Sequence, residues 1–294
     1  MKHPILLFLF ATLAGSAAAQ TSAPFFQSRC ETSPENQRQK THCQTRDLTM
    51  PAPSAGTVLT VDARENGGIT VRGWDGANVR VRAVIQGRSA SLDNARTLAA
   101  SIGVSTTGNT LRATAASGSD NKDWSVSYEV FVPTQTNLSL RATNGSIRLE
   151  NVQGKISFET VNGGVNLAGL GGDVRGKTTN GGLTVLLTGP TWTGTGLDVS
   201  STNGGVTCQV PATYAGIIVA RTTHGRAAAT LAPEVNKLLQ PHNLTATFGK
   251  GGPQLRLSTV NGGVTVQQEG GKAEAAPIPV APAAPATPTA PEEE

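Results

Sequence analysis

The sequence predicts an all-β protein: a parallel, β-helix-like β-solenoid of about 18–23 residues per coil with a small helix-containing N-terminal cap. Three observations predict it. Glycine accounts for 34 of 294 residues while charged residues make up only 15%, a balance that favours strands and turns over exposed helices. An Asn-Gly pair recurs through the chain at near-regular spacing. Apolar residues then fall at fixed places after each pair, which is the mark of a repeat architecture.

The ends lie outside that pattern. Met1 to His3 is a short basic start, followed by the apolar run Ile5 to Leu13 and by Ala17-Ala18-Ala19. This reads as a signal peptide over residues 1–19, too short in its apolar run to span a bilayer. Residues 20–54 form a polar segment holding Cys30 and Cys43, which an extracytoplasmic compartment would pair as a disulfide. Residues 272–294 are rich in Ala and Pro and read as a disordered tail.

Residues 55–135 read as the cap and first coil. Within them Ser91 to Ile102 has a capping serine, alanine and leucine at helical spacing, and no Gly or Pro. Strands are expected near Val104–Ala113 and Trp124–Val132.

Residues 136–271 carry the repeats. The Asn-Gly pairs begin at Asn66, Asn144, Asn162, Asn180, Asn203 and Asn261, with His224-Gly225 as a weaker copy. From Asn144 the steps are 18, 18, 23, 21 and 37, the last corresponding to about two units of a sequential stack. Asn-Gly marks a turn because both residues accept positive φ. His224 suits the same place because histidine tolerates that region better than most residues.

After each turn two apolar columns follow, Ile147, Val165, Leu183, Val206, Ala227, Val264 and Leu149, Leu167, Val185, Cys208, Ala229, Val266. Side chains alternate across a strand, so both columns face inward. Thr160, Thr178, Ser201, Thr222 and Thr259 make a hydroxyl column two residues before each turn. In-register stacking sets Lys155 beside Asp173, Glu159 beside Lys177 and Arg175 beside Asp198, three opposite-charge neighbours. A meander of hairpins would use the same Asn-Gly turns; the continuous columns favour the solenoid.

Asn66-Gly67-Gly68-Ile69-Thr70-Val71-Arg72-Gly73-Trp74-Asp75, then Tyr128 to Pro133, then the Asn-Gly-Gly rungs, carry a family pattern. With Gly249-Lys250-Gly251-Gly252-Pro253 near the end, it resembles the bacterial putative-adhesin family over roughly residues 55–268. The resemblance implies a β-helix-like fold in an extracytoplasmic setting. It implies no catalytic residue and no cofactor.

Several chemistries were weighed on the residues. Gly171 to Thr178 matches G-x-x-x-x-G-K-[ST], yet Asn180-Gly181-Gly182 follows at once and stops the helix a phosphate loop needs. Calcium β-rolls require an Asp in every turn, and here only Asp173 follows a Gly-Gly. His42, His224 and His242 lack metal-ligand spacing, so no metal is expected. Cys208 reads as a buried small hydrophobe. A net charge of +4 without a basic stripe argues against nucleic acid.

A glycosidase or lyase on this scaffold would draw on Glu150, Glu159, Asp173 and Asp198, of which Glu159 and Asp173 already have rung partners. Trp74 and Trp124 read as packed in the cap, whereas Trp192 lies in a five-residue loop insertion. That loop is the candidate binding edge if its indole stacks on a sugar, against the competing reading that it folds back over the solenoid, as the usual burial of tryptophan favours. Thr184, Thr207 and Thr265 form an outward threonine row broken by Arg148 and Asn166. The expected function is a non-catalytic extracytoplasmic binding module, adhesin-like, with envelope polysaccharide or protein as partner. A carbohydrate-active enzyme and a scaffold in envelope-stress signalling are the alternatives.

Overall fold

The computed structural model describes residues 23–30, 39–115 and 123–275. The signal peptide and residues 276–294 of the expected tail lie outside the described residues. The N-terminal part contains β1 (Lys40–Pro51), β2 (Val58–Asp62), β3 (Ile69–Trp74) and β4 (Asn78–Ser89). Helix α1 (Leu92–Ser101), β5 (Gly103–Ser105), β6 (Thr110–Thr114) and β7 (Trp124–Pro133) follow. The middle alternates long and short strands. These are β8 (Asn137–Asn144), β9 (Ile147–Glu150), β10 (Gln153–Asn162) and β11 (Val165–Ala168), then β12 (Gly171–Asn180), β13 (Leu183–Leu186), β14 (Gly196–Asn203) and β15 (Val206–Val210). The last part holds β16 (Gly216–His224), β17 (Ala227–Leu231), β18 (Asn236–Leu239) and β19 (Asn243–Phe248), then β20 (Gln254–Asn261), β21 (Val264–Gln268) and β22 (Lys272–Ala275).

Two eleven-stranded sheets result. From β8 to β15 the chain alternates between them, each Asn-Gly turn carrying it across. All pairings within that stretch are parallel, which excludes the meander of hairpins. The first sheet has the order β1-β4-β7-β3-β9-β11-β13-β15-β21-β17-β22, the second β18-β19-β16-β20-β14-β12-β10-β8-β2-β6-β5. Their inner faces enclose one apolar core. The inward columns run unbroken through it, Ile147, Val165, Leu183, Val206, Val264 and Ala227 each being at most 1% exposed.

The stacking order differs from chain order at both ends. The sequence reading placed the Asn261 turn last, after a gap of two units. In the structure β20 and β21 sit between β14/β15 and β16/β17. The 37-residue step is filled by β18 and β19, which pair antiparallel and close the second sheet. At the other end β6 and β7 lie outside β2 and β3. Antiparallel β4 and β1 continue the first sheet there.

A side-chain ladder follows the stacking order. Each asparagine amide donates to the preceding one: Asn144 to Asn66 at 3.1 Å, Asn162 to Asn144 at 2.7 Å, and Asn180, Asn203 and Asn261 onward at 2.8 Å. The amide row ends at Asn261, and His224 lies beside it on β16.

The turns themselves require correction. No turn asparagine, nor His224, has positive φ; among the described non-glycine residues only Arg64, Asn109 and Asn151 do. The glycines are required by close approach instead. A Cβ on Gly163 or Gly181 would overlap the carbonyl of the turn glycine stacked beneath it. The buried hydroxyl column satisfies those same carbonyls. Thr160 donates to Gly145 O, Thr178 to Gly163 O and Ser201 to Gly181 O at 2.8–2.9 Å, while Thr259 and Thr222 reach Gly204 and Gly262 at 2.7 Å.

At the cap, α1 begins at the predicted place. The Ser91 side chain accepts the Asn94 N–H, and Ala95 and Ala99 pack where Gly87 leaves room. The strand expected over Val104–Ala113 is instead the short antiparallel pair β5 and β6. Two segments read as lying outside the fold also contribute strands: Lys40–Pro51 as β1 and Lys272–Ala275 as β22.

Candidate functional site

The outer faces of the two sheets differ in chemistry, and that difference locates the candidate site. Outward residues of the second sheet form charge ladders. Arg112, Asp62, Arg141, Glu159 and Lys177 are successive register partners from β6 to β12. Arg175, Asp198 and Arg256 form a shorter one. Arg112 and Asp62 form an ion pair at 3.1 Å, and Lys177 and Glu159 one at 3.0 Å. Each such exposed pair contributes at most about 1 kcal/mol, so the ladders fix register and solubility more than stability.

Between β11 and β17 the outward columns of the first sheet carry no charge. From β11 to β17 its outward columns read Asn166, Thr184, Thr207, Thr265, Ala228 and Ala168, Leu186, Gln209, Gln267, Thr230. The threonine row seen in the sequence is thus continuous over β13, β15 and β21. At its end a groove of 540 Å³ has apolar lining from Leu186, Leu187, Val210 and Pro211, with amides from Gln209, Gln267 and Gln268 and one carboxylate, Glu269. Gln268 is held by donating to Ala212 O at 3.1 Å and accepting the Ala232 N–H at 3.1 Å.

The face is small. Five strands at about 4.8 Å spacing, two outward residues deep, cover roughly 20 Å by 10 Å. That is about 200 Å², against about 800 Å² for one partner in a standard protein–protein interface. Its dimensions suit a chain-like ligand laid across the strands.

Trp192 does not serve as predicted. Its side chain is 5% exposed and its Nε1 donates to Gly172 O at 3.0 Å. The inserted loop folds back over the sheet, with Ala215 N–H donating to Pro190 O at 2.7 Å. Burying the indole while satisfying its N–H leaves no exposed ring for stacking. Trp124 is buried, and Trp74 donates to Asn78 O at 3.0 Å.

The four candidate carboxylates do not converge. Glu150 lies on the first sheet, bound by Arg72 at 2.8 Å and Arg148 at 3.4 Å. Glu159, Asp173 and Asp198 are on the second. Asp173 pairs with Arg175 of its own strand at 3.0 Å, whereas the predicted rung pair Lys177–Glu159 forms across strands. Asp173, Asp198, Arg175 and Arg256 share a 230 Å³ pocket whose charges balance. Gly171–Asn180, the phosphate-loop lookalike, is strand β12 throughout.

Among the described residues no three His, Cys, Asp or Glu side chains cluster to hold a metal. His42 lies in β1, and His242 Nδ1 is 2.8 Å from Gly225 O. No described helix is long and apolar enough to cross a membrane.

Cys30 and Cys43 are joined in a disulfide and Cys208 is free and buried. Burial pushes the Cys208 thiol up to about 12, so almost none is thiolate at neutral pH. Alkylation is expected to label nothing in the native protein and Cys208 alone after denaturation without reductant. Three labels in mass spectra of the unreduced chain would contradict the pairing.

Comparison with known proteins followed from this geometry. No family model and no curated protein matches the chain. Solved structures similar to it include a "putative cell adhesion protein" from Clostridium sporogenes, 9% identical, covering 77% of this chain and 100% of that one, TM-score 0.40. A "putative adhesin" from Bacteroides fragilis is 13% identical, with coverage of 78% and 97% and TM-score 0.31. A "putative lipid binding protein" from Parabacteroides distasonis is 9% identical, with coverage of 76% and 96% and TM-score 0.35.

Proposed function

We propose that this protein is a non-catalytic, adhesin-like binding module of the cell envelope, built as a two-sided β-solenoid and acting outside the cytoplasm. The observation that carries the reading is the segregation of charge: ladders of alternating sign on one outer face, none over β11 to β17 on the other. A face of hydroxyls and carboxamides beside an apolar groove favours a neutral polysaccharide, which offers hydroxyl edges and apolar ring faces. The disulfide and the signal-peptide pattern support an extracytoplasmic location.

The carbohydrate-active enzyme has its best place at Asp173 and Asp198. There each acid lies beside an arginine, an arrangement that neutralises charge and leaves no free acid–base pair. The test uses residues 20–294 with a panel of envelope polysaccharides, following retention and the appearance of new sugar ends together. Retention of a neutral polymer without new ends is the expected result. New ends, abolished by Asp173→Asn or Asp198→Asn, would replace the binding module with an enzyme.

A further inference from the structure

The opposite end of the first sheet's outer face is covered by the chain's own N-terminal segment. Residues 23–30 cross it in extended form, burial alternating so that Pro24, Phe26, Ser28 and Cys30 face the protein. They join no strand ladder. Most of what holds them is directed at main chain. Glu129, 4% exposed, accepts the Gln27 N–H at 2.9 Å and the Ser28 N–H at 2.7 Å. Arg80 donates to Pro24 O at 2.8 Å and Arg82 to Ser28 O at 3.4 Å.

One side chain supplies the anchor. The Phe26 ring lies 5.4 Å from that of Phe131, with the guanidinium carbons of Arg80 and Arg82 at 5.3 and 4.7 Å from its centroid. Phe25 beside it is 89% exposed and contributes nothing there. Arg72 orders the receptor, bridging Glu129 and Glu150 and reaching Gln27 Oε1 at 3.1 Å. Burial alone would raise the Glu129 carboxyl. Hydrogen bonds from Ser28 and Gln27 and the Arg72 charge outweigh it and hold the group below its usual range.

Glu129 pairs with Arg72 and is the register partner of Arg82 within the sheet, yet its two oxygens also take the Gln27 and Ser28 amides, which belong to the strap alone. The set of Glu129, Arg72, Arg80, Arg82 and Phe131 is therefore organised around a peptide: two adjacent amides, two carbonyls and one aromatic ring.

We propose that this set is a peptide-binding site, filled in cis by residues 24–28, that accepts the same segment of a second copy once a dithiol reductant, itself becoming a disulfide, has opened Cys30–Cys43 to two thiols. The disulfide fixes the strap to β1 at Cys43. Such a short tether keeps the local concentration of the cis ligand high, in the millimolar range, so the oxidised chain fills its own site. With the disulfide open, the segment is still joined to β1 through residues 31–39, so the longer linker lowers its effective concentration and lets a segment from another molecule compete.

The test is anisotropy of a labelled synthetic peptide covering residues 22–30, with Cys30→Ser, added to the full mature chain. The oxidised wild type is expected not to bind. Cys30→Ser/Cys43→Ser/Phe26→Ala, which frees the site by weakening its own strap, is expected to bind. Adding Glu129→Gln to that variant should weaken the peptide roughly tenfold, the equivalent of one charge-assisted hydrogen bond. A Phe26→Ala peptide should fail on either protein. A folded triple variant, shown by a cooperative melt, that does not take up the peptide would overturn the proposal. Should that variant not fold, hydrogen exchange of the wild type decides. Gln27 and Ser28 amides exchanging well before those of β7 support a displaceable strap; exchange only with global unfolding overturns it.

Discussion

Gly163→Ala is expected to destabilise the protein by about 3–5 kcal/mol, at the severe end for a single methyl group. The added Cβ would lie against Gly145 O, Gly145 C and Ser146 N, all backbone of the adjacent coil. No rotamer change relieves a clash between main chains, so neighbouring coils must move apart. That movement would lengthen the Asn162–Asn144 amide bond and the Thr160 bond to Gly145 O. Gly189→Ala is the control. Gly189 has φ of 76° but nothing within 4 Å of its Cβ position, so only the left-handed backbone penalty of about 1–2 kcal/mol applies. Denaturant melts of the two variants should separate them clearly. Equal losses would contradict the close-approach account, because Gly163 has no positive φ that could explain its share.

Phe158→Ala is expected to cost a further comparable amount, about 3–5 kcal/mol for a buried phenylalanine. Phe158 is 3% exposed and its register partner on β12 is Gly176. A Cβ on Gly176 would meet the phenyl ring at 2.5 Å, so the ring occupies the volume that this glycine vacates. The pair behaves as one packing unit. Gly176→Val alone is expected to destabilise by overpacking. Combined with Phe158→Ala it refills part of the cavity, and the double variant should be more stable than the sum of the singles predicts. Additive melts would show that the two residues do not share the space.

The same pair shows how a phosphate-loop lookalike, rejected on the sequence, arises. Gly176-Lys177-Thr178 completed a nucleotide-loop pattern by serving three unrelated structural needs: room for Phe158, an outward partner for Glu159, and a buried hydroxyl for Gly163 O. What was legible came from periodicity. The inward columns, the hydroxyl column and the register of Lys155, Glu159 and Arg175 with Asp173, Lys177 and Asp198 all stand as read.

Coil order was not legible, because β16/β17 and β20/β21 carry the same apolar spacing and either pair could follow β14/β15. His224, which replaces the turn asparagine, lies at the end of the amide row beside Asn261. At the other end β7 supplies a coil without any Asn-Gly, so nothing in the repeat pattern announced it. Trp192 failed for a different reason: loop position suggested exposure, while the indole gained more by packing and donating to Gly172 O. The uncharged face was only half visible. Thr184, Thr207 and Thr265 were seen as a row, but the lack of charge across β11 to β17 emerges only when all outward columns are assembled.

That face is the centre of the functional account, and paired variants test it directly. Thr207→Lys/Gln267→Lys puts two charges on the uncharged face; Asp173→Asn/Asp198→Asn removes two from the opposite one. Neither pair touches the core, so both should melt like the wild type. Retention on the neutral polysaccharide that binds the wild type is then compared. The account predicts loss of about tenfold or more for the lysine variant and wild-type retention for the asparagine variant. The reverse pattern would contradict it and move the site to the pocket at Asp173 and Asp198.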